Sequence, residues 1–339
     1  MEYILSYGLF LAKIITIMIT ITIMLIIISN IIPFKKSSIG RLQLTNLGDH
    51  YRQIKNEIIF ASIPSDERKR DQKQQKKKYK KFSLSQKTGH QNNTENKENL
   101  YILDFKGSVD AQEVNSLREE ISAILLAAKN NDQVLLRLES AGGLVHSYGL
   151  AASQLQRLRK KGIFLTVAVD KMAASGGYMM ACVANHIVAT PFAVIGSIGV
   201  VAQLPNFYRF LKRHEIDIEL HTAGEYKRTL TLLGENTEKG RQKFQENLST
   251  THQLFKNFIH EMRPNLDIDN VSTGEYWFGT EALKKGLIDN IGTSDDFIFQ
   301  KLDHCECITV HYIYRSSRWR DKILKIYNFL KPFILNFLK

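Results

Sequence analysis

An α/β fold with a mainly parallel sheet is predicted for this chain by three observations. Strand-like and helix-like segments alternate from residue 101 onward, and short glycine turns follow two of the strands. The 339 residues are 44% hydrophobic and 24% charged with only 6 Pro, the composition of an enzyme-sized globular protein rather than a fibrous or globally disordered one. The alternation runs YILDFKG, DAQEVNSLREEISAILLAAK, VLLRLE, VHSYGLAASQLQRLRKK and IFLTVAVD, which reads strand, helix, strand, helix, strand. Parallel strands joined through helices make right-handed βαβ units. Asp110 and Glu113 are spaced as an N-terminal cap pair for the first of these helices.

Ahead of this region, Ile14 to Ile32 reads IITIMITITIMLIIISNII and carries no formal charge. At a rise of ~1.5 Å per residue it is long enough for a hydrocarbon core of about 30 Å. Residues 1–34 are therefore expected to be a membrane anchor with a transmembrane helix. A cleavable signal peptide would show a shorter apolar core and a small-residue cleavage site, and Pro33-Phe34-Lys35-Lys36 offers none. Lys35, Lys36 and Arg41 follow the span and only Lys13 precedes it, so a count of positive charge alone places the bulk of the chain in the cytoplasm.

Residues 35–99 are expected to be a basic, partly disordered linker. The part from 64 to 99 is charged, polar and nearly free of aliphatic side chains, so it cannot bury enough surface to offset chain entropy. This linker carries much of the net charge of +12, with 16 basic against 7 acidic residues. Residues 100–304 hold 22 basic and 24 acidic groups, and residues 305–339 hold 7 and 2. A central region that is not basic argues against a nucleic-acid partner, and basic flanks beside apolar segments suit anionic lipid.

Further along, Ile187 to Leu204 is apolar enough for a hydropathy window to select, but Pro191 and the turn Gly196-Ser197-Ile198-Gly199 break it into two buried strands. Thr237 to Arg263 reads as a long helix and Gly279 to Gly286 as a short one. Residues 305–339 are expected to form a strand and an amphipathic interfacial helix, with Trp319, Ile323, Ile326, Leu330 and Phe333 set among lysines. The alternative is a helix packed on its own domain or on a neighbouring subunit. Three cysteines are too few for a disulfide framework, and neither a zinc site nor a redox compartment can be read from them; Cys305 and Cys307 lie too close in sequence for an unstrained bond, and Cys182 sits in an apolar stretch as a small buried residue.

The two glycine turns are Glu139-Ser140-Ala141-Gly142-Gly143 after VLLRLE and Ala173-Ala174-Ser175-Gly176-Gly177-Tyr178 after IFLTVAVD. Strand ends beside helix N-termini expose unpaired N–H groups, and glycine lets an oxygen approach them. Two such loops side by side make an oxyanion hole: Ser175 begins a helix, and the N–H groups of Gly176 and Gly143, with Gly142 as the fallback, can stabilise charge on a tetrahedral intermediate. A serine nucleophile needs a base. His146, His186 and His221 have no carboxylate partner identifiable from sequence. Lys227 lies just after the predicted strand IDIELH, where the chain can return to the loop face of the sheet. Lysine acts as a base only if burial lowers its ordinary pKa of about 10.4; on composition alone Lys227 is a solvated charge.

Here LRLESAGGLVHSYGLAASQLQRL, VAVDKMAASGGYMMACVANHIVATPFAVIGSIGVVAQLPNF and IELHTAGEYKRTLTLLGENTE resemble the signal peptide peptidase A family of membrane-bound serine peptidases, most closely its SohB branch. The resemblance runs from about Tyr101 to Ile298, with the glycine turn, the serine turn, the Gly196-Ser197-Ile198-Gly199 turn and the Lys227 segment in family order. It implies a Clp/crotonase-like βαβ superhelical core over residues 100–304, with Ser175 as nucleophile, Lys227 as general base, Ser197 as the hydroxyl that orients the lysine amine, and Gly143 and Gly176 as oxyanion contacts. It further implies peptide or protein substrates, no metal or organic cofactor, a homo-oligomer in which the serine and lysine can come from neighbouring chains, and a catalytic domain on the periplasmic side of the bacterial inner membrane, against the charge count. Ala141 stands where the family has proline, which should loosen the first turn. An acyl-CoA enzyme of the crotonase type would leave the serine and lysine without purpose, and a non-catalytic membrane scaffold has Ala141 as its one hint.

Overall fold

The computed structural model describes residues 6–18, 20, 40–62 and 97–314. The chain divides into two units, residues 1–41 with 314–339, and residues 42–313. In the first, residues 6–18 and 20 are helical and exposed. The hydroxyls of Thr16 and Thr20 donate to carbonyls a turn earlier, Thr20 to Thr16 at 2.8 Å. No helix among the described residues is long and apolar enough to cross a membrane. Most of the run from Ile14 to Ile32, the lysine-rich stretch 64–96 and the C-terminal segment 315–339 lie outside the described residues.

The second unit begins with β1 (Arg41–Asn46), α1 (Leu47–Ser62), β2 (Glu98–Gly107), α2 (Val114–Ala127), β3 (Gln133–Ser140), α3 (Val145–Lys160), β4 (Phe164–Val169), β5 (Met172–Ala174) and α4 (Gly176–Ala181). It continues with β6 (His186–Ala189), β7 (Val194–Gly196), α5 (Tyr208–Arg213), α6 (Glu238–Met262), α7 (Ile268–Val271), β8 (Tyr276–Phe278), α8 (Gly279–Lys284), β9 (Asn290–Ile291), α9 (Ser294–Lys301) and β10 (Cys305–Ile313). The strands form one sheet in the order β1-β10-β2-β3-β4-β6-β9, with β5 branching from β3 to β7 and β8. The pairs from β10 through β9, and β3-β5-β7, are parallel, and β7 with β8 is antiparallel. The α/β class read from the sequence therefore holds.

Burial explains the element types. The central strands are buried on both faces, so β3 is a run of Val134, Leu135, Leu136 and Leu138 rather than an alternation. Helices α2 and α3 turn Leu117, Ile121 and Ile124, and Tyr148, Ala151, Leu155 and Leu158, into one core with them. Helix α6 falls within the span read as a long helix, Thr237 to Arg263, and Thr237 caps it, its hydroxyl accepting the Gly240 N–H.

Three expectations are corrected by this architecture. Part of the segment 35–99 assigned to the linker is structured, since β1 lies beside β10 and the N-terminal half of α1 packs Leu47 and Tyr51 on a second core cluster that holds Cys305 and Cys307. For the same reason the boundary at residue 304 is wrong: β10 sits between β1 and β2, in register from Cys305 with Glu98 to Thr309 with Ile102. Asp110 and Glu113 do not cap α2; a turn from Ser108 to Ala111, with Ala111 at φ +47°, delays the helix, and both carboxylates accept the Ser108 hydroxyl instead.

Glu120 of α2 is only 2% exposed and accepts the Tyr312 N–H of β10 at 2.7 Å, with His311 Nδ1 3.7 Å away. Burial raises its carboxyl to about 7, opposed by the Tyr312 bond and helped by Asp104 of β2. A raised acid pKa means that the folded state holds the proton more tightly, so the stability of this fold falls as pH climbs from the ordinary carboxyl range to about 7. Glu120→Gln is expected to raise the thermal midpoint at pH 8, by up to about 3 kcal/mol of stability, and to change little at pH 4; equal effects at both pH values would contradict this.

Candidate active site

Three turns meet at the C-terminal ends of adjacent parallel strands. Ser140 at the end of β3 pairs with Ala173 of β5, and Ala174 of β5 pairs with Gly196 of β7. Residues 140–143, 175–177 and 196–199 therefore leave the sheet side by side. The Ser175 N–H donates to the Gly196 carbonyl at 2.8 Å, which places Ser197 on the strand position beside Ser175.

Ser175 occupies the junction between β5 and α4 with φ +52° and ψ −118°, a region that side chains rarely adopt. Its side chain makes no hydrogen bond among the described residues, so the sharp turn presents a free hydroxyl at the N-terminus of α4. Strain of ~1–3 kcal/mol is usual for such a residue and persists only where the surroundings enforce it. Ser197 also has positive φ, +51°, and its N–H donates to the Glu275 carbonyl at 2.7 Å.

The first glycine turn lies against the serine turn. A Cβ built on Gly142, which has φ +87°, would fall 2.7 Å from the Gly176 nitrogen and 2.8 Å from the Ser175 Cβ. The Gly142 N–H is committed to the Ser140 hydroxyl at 3.0 Å. Neither the Gly143 N–H nor the Gly176 N–H has an acceptor among the described residues. The fallback named for the oxyanion contact is thereby used up, and the two unpaired donors are those of Gly143 and Gly176. Ala141, in the place of the family's proline, is exposed, and the turn forms without it.

No hydrogen bond joins Lys227 to the serine turn among the described residues. Lys227 is exposed in the turn that its own N–H closes on the Gly224 carbonyl, and its ammonium makes no hydrogen bond or ion pair among the described residues. The turn is held to the start of α6, with Glu225 paired to Lys239 at 2.6 Å and Lys243 lying 5.3 Å over the Tyr226 ring. The predicted strand IDIELH does not form: Ile216, Ile218 and Leu220 alternate as a strand would, but they are exposed and pair with no strand among the described residues. The same region exposes Val201 at 90%, together with Phe207, Phe210, Leu232 and Leu233. Only β6 and β7 of the apolar stretch from Ile187 to Leu204 are strands, and its end is exposed.

Histidines do find carboxylates, His186 with Asp289 at 3.9 Å and His221 with Glu219 at 3.3 Å, yet neither pair includes Ser175 or its hydrogen-bond partners. Cys182 is buried, and burial pushes its thiol well up, as for an unreactive core residue. Among the described residues no group of His, Cys, Asp or Glu is placed to hold a metal.

The arrangement also recruits residues that sequence reasoning passed over. Tyr148 of α3 is fully buried, with its hydroxyl 2.6 Å from Ser140 Oγ and its ring against Gly176. The Val109 carbonyl accepts the Leu144 N–H at 2.9 Å and fills the place of a side chain on Gly143. Beside the turns, an apolar cavity of about 320 Å³ is lined by Val145, Gly149, Met179, Leu254, Phe255 and Phe258. It lies between the first turns of α3, the helix begun by Ser175, and α6.

Residues 2–155 match the family described as Peptidase family S49 N-terminal, and residues 157–305 match Peptidase family S49. A probable protease SohB of Buchnera aphidicola subsp. Schlechtendalia chinensis is 56% identical over 306 residues, covering 89% of this chain and 100% of that protein. A probable protease SohB of Haemophilus influenzae is 50% identical over 316 residues, covering 92% of this chain and 90% of its own. Among solved structures, a ClpP1 variant from Listeria monocytogenes is 13% identical with a TM-score of 0.39, over 57% of this chain and 92% of that one.

Proposed function

The chain belongs to peptidase family S49, in its SppA/SohB branch, and from that premise we propose that it is a membrane-anchored serine endopeptidase on a Clp/crotonase-like core, with Ser175 as nucleophile and Lys227 as base. One observation carries the reading: the free hydroxyl of Ser175 stands where two glycine turns meet and leave two unpaired N–H groups, those of Gly143 and Gly176. In this reaction the Ser175 Oγ attacks the peptide carbonyl carbon and Lys227 Nζ takes its proton. The resulting oxyanion is held by the two N–H groups, and collapse expels the amine, which receives the proton from Lys227. Water deprotonated by Lys227 then releases the acyl group from Ser175. Ser197, which follows β7 and stands beside Ser175 in the continued register, orients the amine.

A lysine is a base only when dehydrated. Since Lys227 is exposed in the lone chain, its dehydration falls to a second copy, which would also cover the apolar run from Val201 to Leu233 and pair the unpartnered IDIELH. Mixing inactive Ser175→Ala with inactive Lys227→Ala protein is expected to restore a fraction of the activity if each site draws on two chains. No recovery after dissociation and reassembly would confine the dyad to one chain.

Substrates in this reading are membrane-associated or extended peptides such as signal-peptide remnants, with an apolar side chain in the cavity at Met179. Gly149 has nothing within 4 Å of where its Cβ would stand, so Gly149→Leu is expected to fold and to narrow the cavity. It should lower kcat/KM for bulky apolar residues at the cleaved bond about tenfold or more relative to alanine there; an unchanged ratio would detach the cavity from specificity. The back-bonded hydroxyls of Thr16 and Thr20 suit an apolar surrounding, in keeping with an anchor in the bacterial inner membrane, and protease accessibility in spheroplasts tests the periplasmic side.

A further inference from the structure

A directed chain of hydrogen bonds runs behind the glycine turns. The Tyr148 hydroxyl donates to the Ser108 carbonyl at 2.8 Å, so its oxygen is left to accept from Ser140, 2.6 Å away. The Ser140 oxygen in turn accepts the Gly142 N–H at 3.0 Å. Every proton in the series has one acceptor, and no member is free to turn. Ser140 is 2% exposed and Tyr148 is fully buried, so no water competes for these bonds. The Tyr148 ring also backs the serine turn, because a Cβ on Gly176 would enter it. One side chain thus touches both turns, by its hydroxyl at one and its ring at the other.

We infer that Tyr148, acting through Ser140, is the positioning residue that sets the oxyanion hole, by occupying the Gly142 N–H so that the Gly143 and Gly176 N–H groups are the two donors aimed at the substrate. The inference rests on the peptidase reading above and deepens it. Without the Tyr148 hydroxyl the Ser140 proton loses its acceptor and rotates, and the Gly142 N–H is released into the turn. The peptide unit joining Gly142 to Gly143 can then tilt, and the Gly143 N–H leaves the line it must keep to a developing oxyanion. Burial, with Glu113 and Asp110 nearby, raises the Tyr148 pKa despite the Ser140 bond, so the group remains a phenol throughout the range in which a peptidase works.

The test is steady-state and single-turnover kinetics on the full chain in detergent, with Tyr148→Phe, Ser140→Ala and the double variant. Tyr148→Phe keeps the ring against Gly176 and removes only the hydroxyl. It is expected to lower kcat about 10- to 100-fold with KM within about twofold, and to weaken a peptide boronate by a similar factor while leaving the affinity of an uncleaved ground-state peptide unchanged. Ser140→Ala should match it, and the double variant should be no worse than either single one. Full kcat in Tyr148→Phe or Ser140→Ala, or losses that multiply in the double variant, would overturn the inference. If Tyr148→Phe does not fold, Ser140→Ala with the boronate series decides alone. An inactive wild-type chain would instead overturn the peptidase reading, so the two failures are distinct.

Discussion

Ser175→Ala is expected to reduce peptide hydrolysis at least about 10³-fold, with the thermal midpoint of the protein little changed. The hydroxyl is the sole group lost, and it makes no hydrogen bond that the fold would miss. Ser175→Gly should be equally inactive but more stable than the alanine variant. At φ +52° an alanine keeps the backbone strain and a glycine relieves it. Relief of ~1–3 kcal/mol outweighs the ~0.4–1 kcal/mol that glycine adds to the disorder of the unfolded chain, so a net gain of about 1 kcal/mol is the expected result. Casein or peptide cleavage and thermal unfolding in detergent read both quantities. Activity of Ser175→Ala within tenfold of wild type would remove Ser175 as the nucleophile, and a glycine variant less stable than alanine would contradict the strain.

Gly143→Ala should fail for a different reason. The added methyl meets the Val109 carbonyl, a backbone atom already bound to the Leu144 N–H. It cannot swing aside as a side-chain tip would. Separating the two segments should cost about 1–3 kcal/mol, and the displaced Gly143 N–H should take about 10²- to 10³-fold from kcat, the usual loss of an oxyanion donor. Gly149→Ala, assayed on a substrate with alanine at the cleaved bond so that the cavity is not tested, is the control, because the same change there meets open space and should leave both quantities near wild type. Comparable losses in the two variants would mean that helix or turn propensity, not this contact, is responsible.

The sequence disclosed those features whose cause is local. Runs such as Val134 to Leu138 and the helical spacing of Leu117, Ile121 and Ile124 announced the βαβ core, and the glycine–serine motifs lay where strands end. What stayed hidden depends on partners far along the chain. Nothing within CECITVHYI says that it will lie between β1 and β2, and nothing within YGLAAS says that the tyrosine will reach back to Ser108 and Ser140. The carboxylates of Asp110 and Glu113 fit a helix cap by spacing, but a turn at Ser108 offered them a nearer donor. The alternation in IDIELH is a strand signal that no strand among the described residues answers. Lys227 belongs to the same class, since a side chain exposed in the lone chain carries no local mark of the surroundings it would have in an assembly.

The placement of β10 bears on how the protein is made. Its register with β2 joins residues roughly two hundred positions apart, so during vectorial synthesis the outer edge of β2 stays open until nearly all of the rest of the sheet has emerged. An unpaired parallel edge is slow to find its mate and prone to capture by other chains. An early stop before Cys305 is therefore expected to leave a nascent polypeptide with its glycine and serine turns present and the outer edge of β2 uncovered.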